Sequence, residues 1–416
     1  MKDTEFYAQL LGLQMPWQVA DVVFSPEERS VTVHVSFDDQ AQWRCPKCGA
    51  VVSRYDRRLR RWRHLDTMQF KTILEAQVPR LQCPEHGVVQ AKVPWAEPGS
   101  GFTTMFEALV LYWLKHASIS AVARSYSLSW NTVDGIMQRA VQRGLSRREP
   151  LQPKDLSVDE TSFQKRHEYV TVVTEQETGR VIHVADDRTT ASLEQFYKGL
   201  TPEQKSGIRS VSMDMWKGYI KATRNQLDDA DSKIAFDKFH VAKYLGDGVD
   251  KVRRQEHKAL LQEGVTLLKG SKYQWLRNPR NMSRDQARHF AGLRDSNLKT
   301  ARAWAMKEEA MSIWRYRSRG WAVKGWDRWF GWSQRCRLEP MKKVGQTLKA
   351  HLWGILNAIT LGVHNGHAES GNARIQKIKA RACGFRNRER FRNAIYFHCG
   401  GLDLAPAGVD QAWLPT

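Results

Sequence analysis

Two short knuckles constrain this chain more than any other feature. Cys45-Pro46-Lys47-Cys48-Gly49 and Cys83-Pro84-Glu85-His86-Gly87 share the x-Pro-x spacing and the trailing glycine. Two thiolates separated by two residues grip one side of a tetrahedral ion, and a second pair closes it. The 34 residues between Cys48 and Cys83 exceed the usual spacing of paired knuckles, and they leave room for a small β ribbon. We expect one structural Zn²⁺ on Cys45, Cys48, Cys83 and His86, with no open coordination position. His64 is the rival ligand, and buried free thiols beside a surface histidine are the plain alternative.

Charge sets the second constraint. The 416 residues carry 65 Lys and Arg against 44 Asp and Glu, a formal net charge of +21. Such a surface attracts phosphate backbones and releases their counterions. The length implies two to four domains, and the 41% hydrophobic content is enough to build cores. No run of about 18 apolar residues suggests a membrane span, and Met1–Leu10 lacks the plan of a signal peptide. The expected location is the cytoplasm, with nucleoid association when DNA is bound. Six cysteines there act as thiols or metal ligands rather than disulfides. Six of the ten residues from Arg54 to Arg63 are arginines: Arg54, Arg57, Arg58, Arg60, Arg61 and Arg63. A charge run is ordinarily a solvated face, but on a zinc module in so basic a chain these forked donors suit DNA phosphates.

Periodicity divides the rest. A short helix and a strand lead-in fill residues 1–30, and Val31–Phe37 alternates as a half-buried strand does. Trp95–Gly101 reads as a linker. Residues 103–145 show helical spacing, and Ile119–Arg139 fits a helix-turn-helix. Its turn is Tyr126-Ser127-Leu128-Ser129 and its core Ala123, Leu128, Val133 and Ile136. The start of the second helix would meet base edges through Ser129, Trp130, Asn131 and Thr132. Glu149–Pro153 reads as a second linker.

From Leu156 the pattern changes to strands at Leu156–Glu160, Tyr169–Thr174, Arg180–Ala185, Ile208–Met213 and Lys233–Phe236, with helices between the later ones. Residues 240–345 are helical, charged and rich in tryptophan. One long helix is expected over Met341–Thr360 and another over Ala368–Arg381. Of Trp314, Trp321, Trp326, Trp329 and Trp332, most belong in a core, with one or two rings free to stack on bases.

Asp159 lies within the first of these strands and Asp214 ends the fourth. In an RNase H-type sheet those strands are neighbours, so the two carboxylates converge and suit a pair of Mg²⁺ or Mn²⁺ ions. A third acid must come from a helix packed across the sheet, and Glu369 is the candidate. The face that follows it carries Arg374, Lys377, Lys379 and Arg381 to hold a DNA strand. Asp186, Asp187 and Asp237 are competing acids.

At this point the chain resembles the DDE transposases of bacterial insertion sequences, in the family called ISL-three. The resemblance rests on Cys-Pro-Lys-Cys at 45–48, Arg-His-Leu-Asp at 63–66 and the helix-turn-helix around Val122–Val133. It continues through Val158-Asp159-Glu160, Met213-Asp214-Met215-Trp216, Asp237-Lys238-Phe239-His240-Val241 and Glu369–Lys379, and it covers nearly the whole chain. It implies an RNase H-like core, interrupted by a helical insertion before the Glu-bearing helix. Asp237 and His240 resemble an Asp-x-x-His motif beside the second aspartate of several such enzymes, which implies a supporting role. His86 stands where many zinc ribbons carry cysteine.

The expected fold is multidomain α+β: a zinc ribbon over 1–97, a helix-turn-helix over 98–150, and an RNase H-like α/β core over 151–240 and 341–416 with an all-helical insertion at 241–340. The expected function is binding of terminal inverted repeats, then cleavage and strand transfer through Asp159, Asp214 and Glu369. The partners are double-stranded transposon-end and target DNA and, because two ends must meet, at least a second copy of the chain. A DNA-binding regulator without chemistry and an RNase H-like nuclease without strand transfer are the rival readings.

Overall fold

The computed structural model describes residues 2–164, 168–362 and 366–410, without the side chains of 366–370. The chain divides into two compact units. The first comprises Met1–Arg148 with Tyr396–Thr416, and the second Glu149–Ile395. No helix among the described residues is long and apolar enough to cross a membrane.

The first unit opens with α1 (Asp3–Leu10) and a sheet of β1 (Trp17–Ser25), β2 (Ser30–Phe37), β3 (Trp43–Arg44), β4 (Val51–Arg63), β5 (Lys71–Cys83) and β6 (Gly87–Gln90). The order is β1-β2-β5-β4-β3, with β6 also pairing β5. Strict alternation in β2 buries Val31, Val33, Val35 and Phe37 on one face, as a period of two requires. They meet Trp17, Trp43, Trp62 and Trp95 in one apolar cluster, with edge-to-face ring contacts such as Trp17–Trp95 at 4.9 Å. Trp95 is therefore core, and the linker expected at Trp95–Gly101 is packed chain. Arg63 donates its amide to Gly101 O at 2.9 Å, which ties that segment to β4.

Three helices follow: α2 (Thr104–His116), α3 (Ile119–Ser125) and α4 (Trp130–Arg147). Each starts at a hydroxyl N-cap. Thr103 accepts from Phe106 N, Ser118 from Ala121 N and Ser129 from Thr132 N. Ser127, at φ 52°, makes the left-handed step between α3 and α4. Val122, Ala123, Val133, Ile136 and Met137 are buried. Residues 396–410 belong here too: Lys115 donates to Phe397 O at 3.0 Å, and Arg147 reaches Ala405 O at 2.7 Å. The piece expected as 341–416 is thus divided before Tyr396, because basic side chains of α2 and α4 bind the carbonyls of the returning chain.

The second unit is built on a mixed sheet of β7 (Asp155–Gln164), β8 (Glu168–Glu175), β9 (Val181–Asp186), β10 (Ser210–Met213) and β11 (Ile234–Phe236). Its order is β11-β10-β7-β8-β9. The first three pair in parallel, and β7-β8-β9 form an antiparallel meander. Between its strands lie α5 (Thr190–Lys198), α6 (Pro202–Ser206), α7 (Lys217–Gln226) and α8 (Ala230–Lys233). An unbroken helical run succeeds β11: α9 (Lys238–Gln262), α10 (Lys272–Leu276), α11 (Arg284–Arg294), α12 (Lys299–Ser312), α13 (Arg319–Arg335), α14 (Glu339–Ala350) and α15 (Leu352–Leu361). Then come α16 (Gly366–Arg381) and α17 (Arg388–Cys399).

Sheet and helical run share one apolar core. Trp275, Trp326 and Trp329 are fully buried in it, and Trp329 Nε1 donates to Met306 O at 2.7 Å. Trp314 and Trp332 are partly buried against it, whereas Trp321 is 61% exposed. The single helix expected over Met341–Thr360 is broken at His351, where ψ turns to 13°. The break redirects α15 onto β11. A Cβ on Gly354 would stand 2.5 Å from the Phe236 ring, so only glycine allows that approach. Asn357 then donates to Asp231 O and Ile234 O at 2.7 and 2.9 Å.

Candidate zinc and carboxylate sites

The knuckles converge as their spacing implies. Ligand atoms of Cys45, Cys48, Cys83 and His86 all lie within 4.8 Å of one another. Cys48 Sγ is 3.7 Å from Cys83 Sγ, and His86 Nδ1 is 3.8 Å from Cys45 Sγ and 3.5 Å from Cys83 Sγ. A tetrahedral zinc with bonds of about 2.3 Å to sulfur and 2.0 Å to nitrogen requires S···S near 3.8 Å and S···N near 3.5 Å. The donor set and its spacing therefore fit zinc. Gly49 (φ 75°) and Gly87 (φ 66°) make the left-handed turn after each knuckle. The Cys48 backbone amide holds the Cys45 thiol down to about 6, so its thiolate is available at neutral pH. The rival, His64, lies elsewhere. It is buried against Thr103 Oγ1 at 2.9 Å, and burial lowers its pKa to about 4.

The arginine run of β4 separates into two groups. Arg54 pairs with Asp39, Arg61 with Glu75, and Arg63 with Asp66, Arg63 also lying over the Phe106 ring. Arg57, Arg58 and Arg60 form no ion pair among the described residues, and the first two are exposed. On α4, Asn131 is exposed and Trp130 half-buried, while Ser129 and Thr132 are engaged in the cap through a 2.8 Å contact between their hydroxyls.

In the second unit, Asp159 on β7 and Asp214 just beyond β10 stand on adjacent parallel strands, whose pairing runs from Ser210↔Asp155 to Ser212↔Ser157. Asp214 Oδ1 accepts from Trp216 N at 2.8 Å. Asp159 accepts from Glu160 N at 2.8 Å and from the Asn372 side-chain amide of α16. Burial raises the Asp159 pKa, and Asp214 and Asp237 add to it, offset by the Glu160 amide and His240. Asp237 caps α9 by accepting from Phe239 N at 3.0 Å, and its other oxygen lies 3.2 Å from His240 Nδ1. Burial pulls the His240 pKa down, but Asp237, Asp159 and Asp214 outweigh it and the net shift is upward.

Three residues join the site that motif reading did not assign. Arg188 places Nη2 2.6 Å from Asp214 and Nη1 3.0 Å from Glu160, with its guanidinium 4.9 Å over the Trp216 ring. Burial, with Asp214 beside it, pushes the Glu160 carboxyl up to about 7 despite Arg188. Asn372 is the third. No local pattern announces Arg188, which follows two acids in a strand-to-helix turn and meets Asp214 only once β10 has paired with β7, the first strand of the meander.

The helix α16 is fastened to β7. Gln376 donates to Thr161 Oγ1 at 2.6 Å, and Lys379 Nζ to Ser162 O at 2.8 Å. Lys379 thus serves this packing, whereas Arg374, Lys377 and Arg381 are exposed. Glu369 belongs to this helix, but its side chain lies outside the described residues. Of the competing acids, Asp187 is 2.8 Å from Arg388 and Asp186 3.1 Å from Arg392.

Comparisons with known proteins agree with this layout. Residues 156–395 match a family model described as a transposase. Residues 91–141 match a helix-turn-helix domain of transposase family ISL3, and 41–86 the zinc-finger of transposases IS204, IS1001, IS1096 and IS1165. The chain is 27% identical to the transposase for insertion sequence element IS1557 of Mycobacterium tuberculosis over 419 residues, 93% of each chain. It is 26% identical to the transposase for IS1001 of Bordetella parapertussis over 372 residues, 88% of this chain and 91% of that one. The first of these models spans more than half of the sequence, and the chain belongs to the ISL3 family of insertion-sequence transposases.

Proposed function

We propose that this transposase cuts the ends of its element and joins them to target DNA through Asp159, Asp214 and Glu369, on an RNase H-like sheet with an all-helical insertion at 241–340. The observation that carries the reading is the meeting of two acids on adjacent strands, beside a helix that binds one of them through Asn372. Glu369 is one turn before Asn372, and residues three apart share a helix face. The order β11-β10-β7-β8-β9, with a central first strand, supports the RNase H-like assignment.

Hard oxygen donors at this density suit Mg²⁺ or Mn²⁺, and the Glu160 Oε2 atom, buried without a hydrogen-bond partner among the described residues, supports a cation there. Two such ions, when bound, would activate the attacking water or 3′-hydroxyl and stabilise the leaving oxygen. The chain's own part is placement. Arg188 orients Asp214, Asn372 orients Asp159, and Asp237 holds His240 toward the acids.

The first unit reads the ends. Asn131 on α4 faces base edges, while Arg57, Arg58 and Arg60 meet phosphates. The closed Cys45, Cys48, Cys83 and His86 cluster holds one structural Zn²⁺. Two copies of the chain bring two ends together.

The test is cleavage of a labelled duplex carrying the inverted repeats that flank the gene. Asp159→Asn, Asp214→Asn and Glu369→Ala should each lower cleavage and joining by at least about a thousandfold while gel-shift binding persists. Cleavage close to normal in Glu369→Ala would remove it as the third ligand. Cleavage without joining in the unaltered protein would favour a nuclease. Asn131→Ala should cost about 1–3 kcal/mol on end DNA and little on random DNA.

A further inference from the structure

The N-terminal part of α9 carries more than the Asp237–His240 pair. Its next face, at Lys238, Phe239, Ala242, Lys243 and Gly246, opens into a cavity of about 580 Å³ within the helical run of the second unit. The opposite walls come from Leu276, Asn278, Pro279 and Arg280 and from the end of α12 with the turn after it, through Lys307, Met311 and Arg315. Five cations line this space: Lys238, Lys243, Arg280, Lys307 and Arg315. Among the described residues the lining acids are Asp247 and Glu308, and Glu308 is taken by Lys307 at 2.8 Å.

This arrangement differs from a solvated charged face. Such faces mix signs or turn their cations outward, away from one another. Here Lys238, Arg280 and Arg315 come from three separate elements and meet without an acid between them. The Lys238 pKa is lowered by burial and by Arg315 and Arg280. Lys238, Lys243, Arg280 and Arg315 are exposed at the cavity and form no ion pair among the described residues. The start of a 25-residue helix adds its positive end to the same region. Like charges held together cost stability, and an anion relieves that cost. Residue 238 directly follows Asp237, whose partner His240 senses Asp159 and Asp214.

We propose that this cavity binds a backbone phosphate of the DNA strand that enters the carboxylate site, with Arg280, Arg315, Lys238 and Lys243 as its donors. The inference rests on the transposase reading and adds a second grip to it. Arginine forks bind the two non-bridging oxygens, and the lysines add charge. Because α9 holds both the grip and the Asp237–His240 pair, a phosphate seated here fixes the strand relative to the acids. Its contribution reaches cleavage through strand position, so these four are positioning residues.

The experiment uses the full chain with Asp214→Asn, so that binding is read without cutting, and end duplexes with single methylphosphonates placed along each strand near the cleavage position. One or two neutralised phosphates should weaken binding by about three- to tenfold in the parent. The Arg280→Ala/Arg315→Ala double variant, made at exposed positions, should bind the unmodified duplex correspondingly less well and show no further loss at those same phosphates. The slope of log affinity against log salt should fall by about one per lost phosphate contact. In a cleavage-competent background the double variant should cut more slowly, and raised enzyme concentration should not restore the rate. If every methylphosphonate affects parent and double variant alike, the cavity is not a phosphate site and the inference fails. If the parent shows no preference for end duplex at all, the proposed recognition of the element's ends fails, which is a separate outcome.

Discussion

The cysteine-histidine cluster of the first unit and the carboxylate cluster of the second are both candidate metal centres, built in opposite ways. In the first, each pair of ligands comes from one turn of chain closed by a left-handed glycine, so local backbone geometry delivers the donors ready spaced. In the second, each acid sits on a different element, and the distances depend on a completed sheet and on supports such as Arg188 and Asn372. A site made by local turns needs its ion to stay folded, because little else holds the turns. One made by tertiary packing keeps its shape through the core and takes its ions as reagents.

The largest expected effect tests that contrast directly. Purified protein should contain about one zinc per chain, in keeping with four-ligand structural sites. Strong chelation, or Cys48→Ser, should expose the amides of β3, β6 and both knuckles to hydrogen exchange and abolish end binding. The sheet of the second unit should exchange as before. Full protection of the knuckle amides in zinc-free protein would break the comparison, because the turns would then be held by the tryptophan cluster of the first unit alone. Stripping Mg²⁺ and Mn²⁺ should change exchange in neither unit.

Two histidines of the first unit, His86 and His64, sharpen it further. His86 joins the thiols, whereas His64 is held neutral by burial beside Thr103. A neutral buried histidine takes up its proton only near pH 4, while in the unfolded chain it does so near 6.5. Below pH 6.5 the unfolded state therefore binds more protons, and stability falls with pH until about 4, where the loss levels off. The full difference is about 3 kcal/mol. In zinc-loaded protein, His64→Gln should flatten this limb of the stability-against-pH curve, measured by thermal melting. Acid release of zinc is common to both proteins, so it cancels in the comparison. Identical limbs would show that His64 titrates normally in the folded chain.

How much of each site was legible follows from the same distinction. Both knuckles, the four side chains that cluster at them, the strand positions of Asp159 and Asp214 and the helix-turn-helix are visible in residue spacing, because strands and turns impose local periods. The arginine run of β4 was legible as charge but not as function: Arg54 and Arg61 find acids on neighbouring segments that no local pattern links to them, whereas Arg63 pairs with Asp66 only three residues on. Trp95 looked like the edge of a linker, because Pro98-Gly99-Ser100-Gly101 follows it, yet its ring completes a four-tryptophan cluster. The break at His351 was hidden because apolar spacing continues across it, and the contact it allows, Gly354 against Phe236, joins residues far apart in the chain. Partners separated by long stretches of chain become visible only when the sheet exists.

Arg188 is the residue on which that last point can be tested, with the smallest expected effect. Its guanidinium joins Asp214 to Glu160 and rests on Trp216, so it neutralises two crowded carboxylates and fixes the direction of one. Arg188→Ala should leave end binding intact and lower the cleavage rate by about 10- to 100-fold, within the range for removing a hydrogen bond to a charged group. Arg188→Lys keeps the charge but loses the fork, so it should recover only part of the rate. Charge and direction separate in the metal dependence. With the guanidinium gone, Asp214 and Glu160 attract a dication more strongly, so half-saturating Mg²⁺ should fall in Arg188→Ala even as the maximal rate drops. A merely structural arginine would instead raise the Mg²⁺ requirement as the acids drift apart. An unchanged rate in Arg188→Ala would mean that the backbone alone aims Asp214, through the Trp216 amide, and the carboxylate site would then be nearer to the zinc knuckles in construction than the comparison holds.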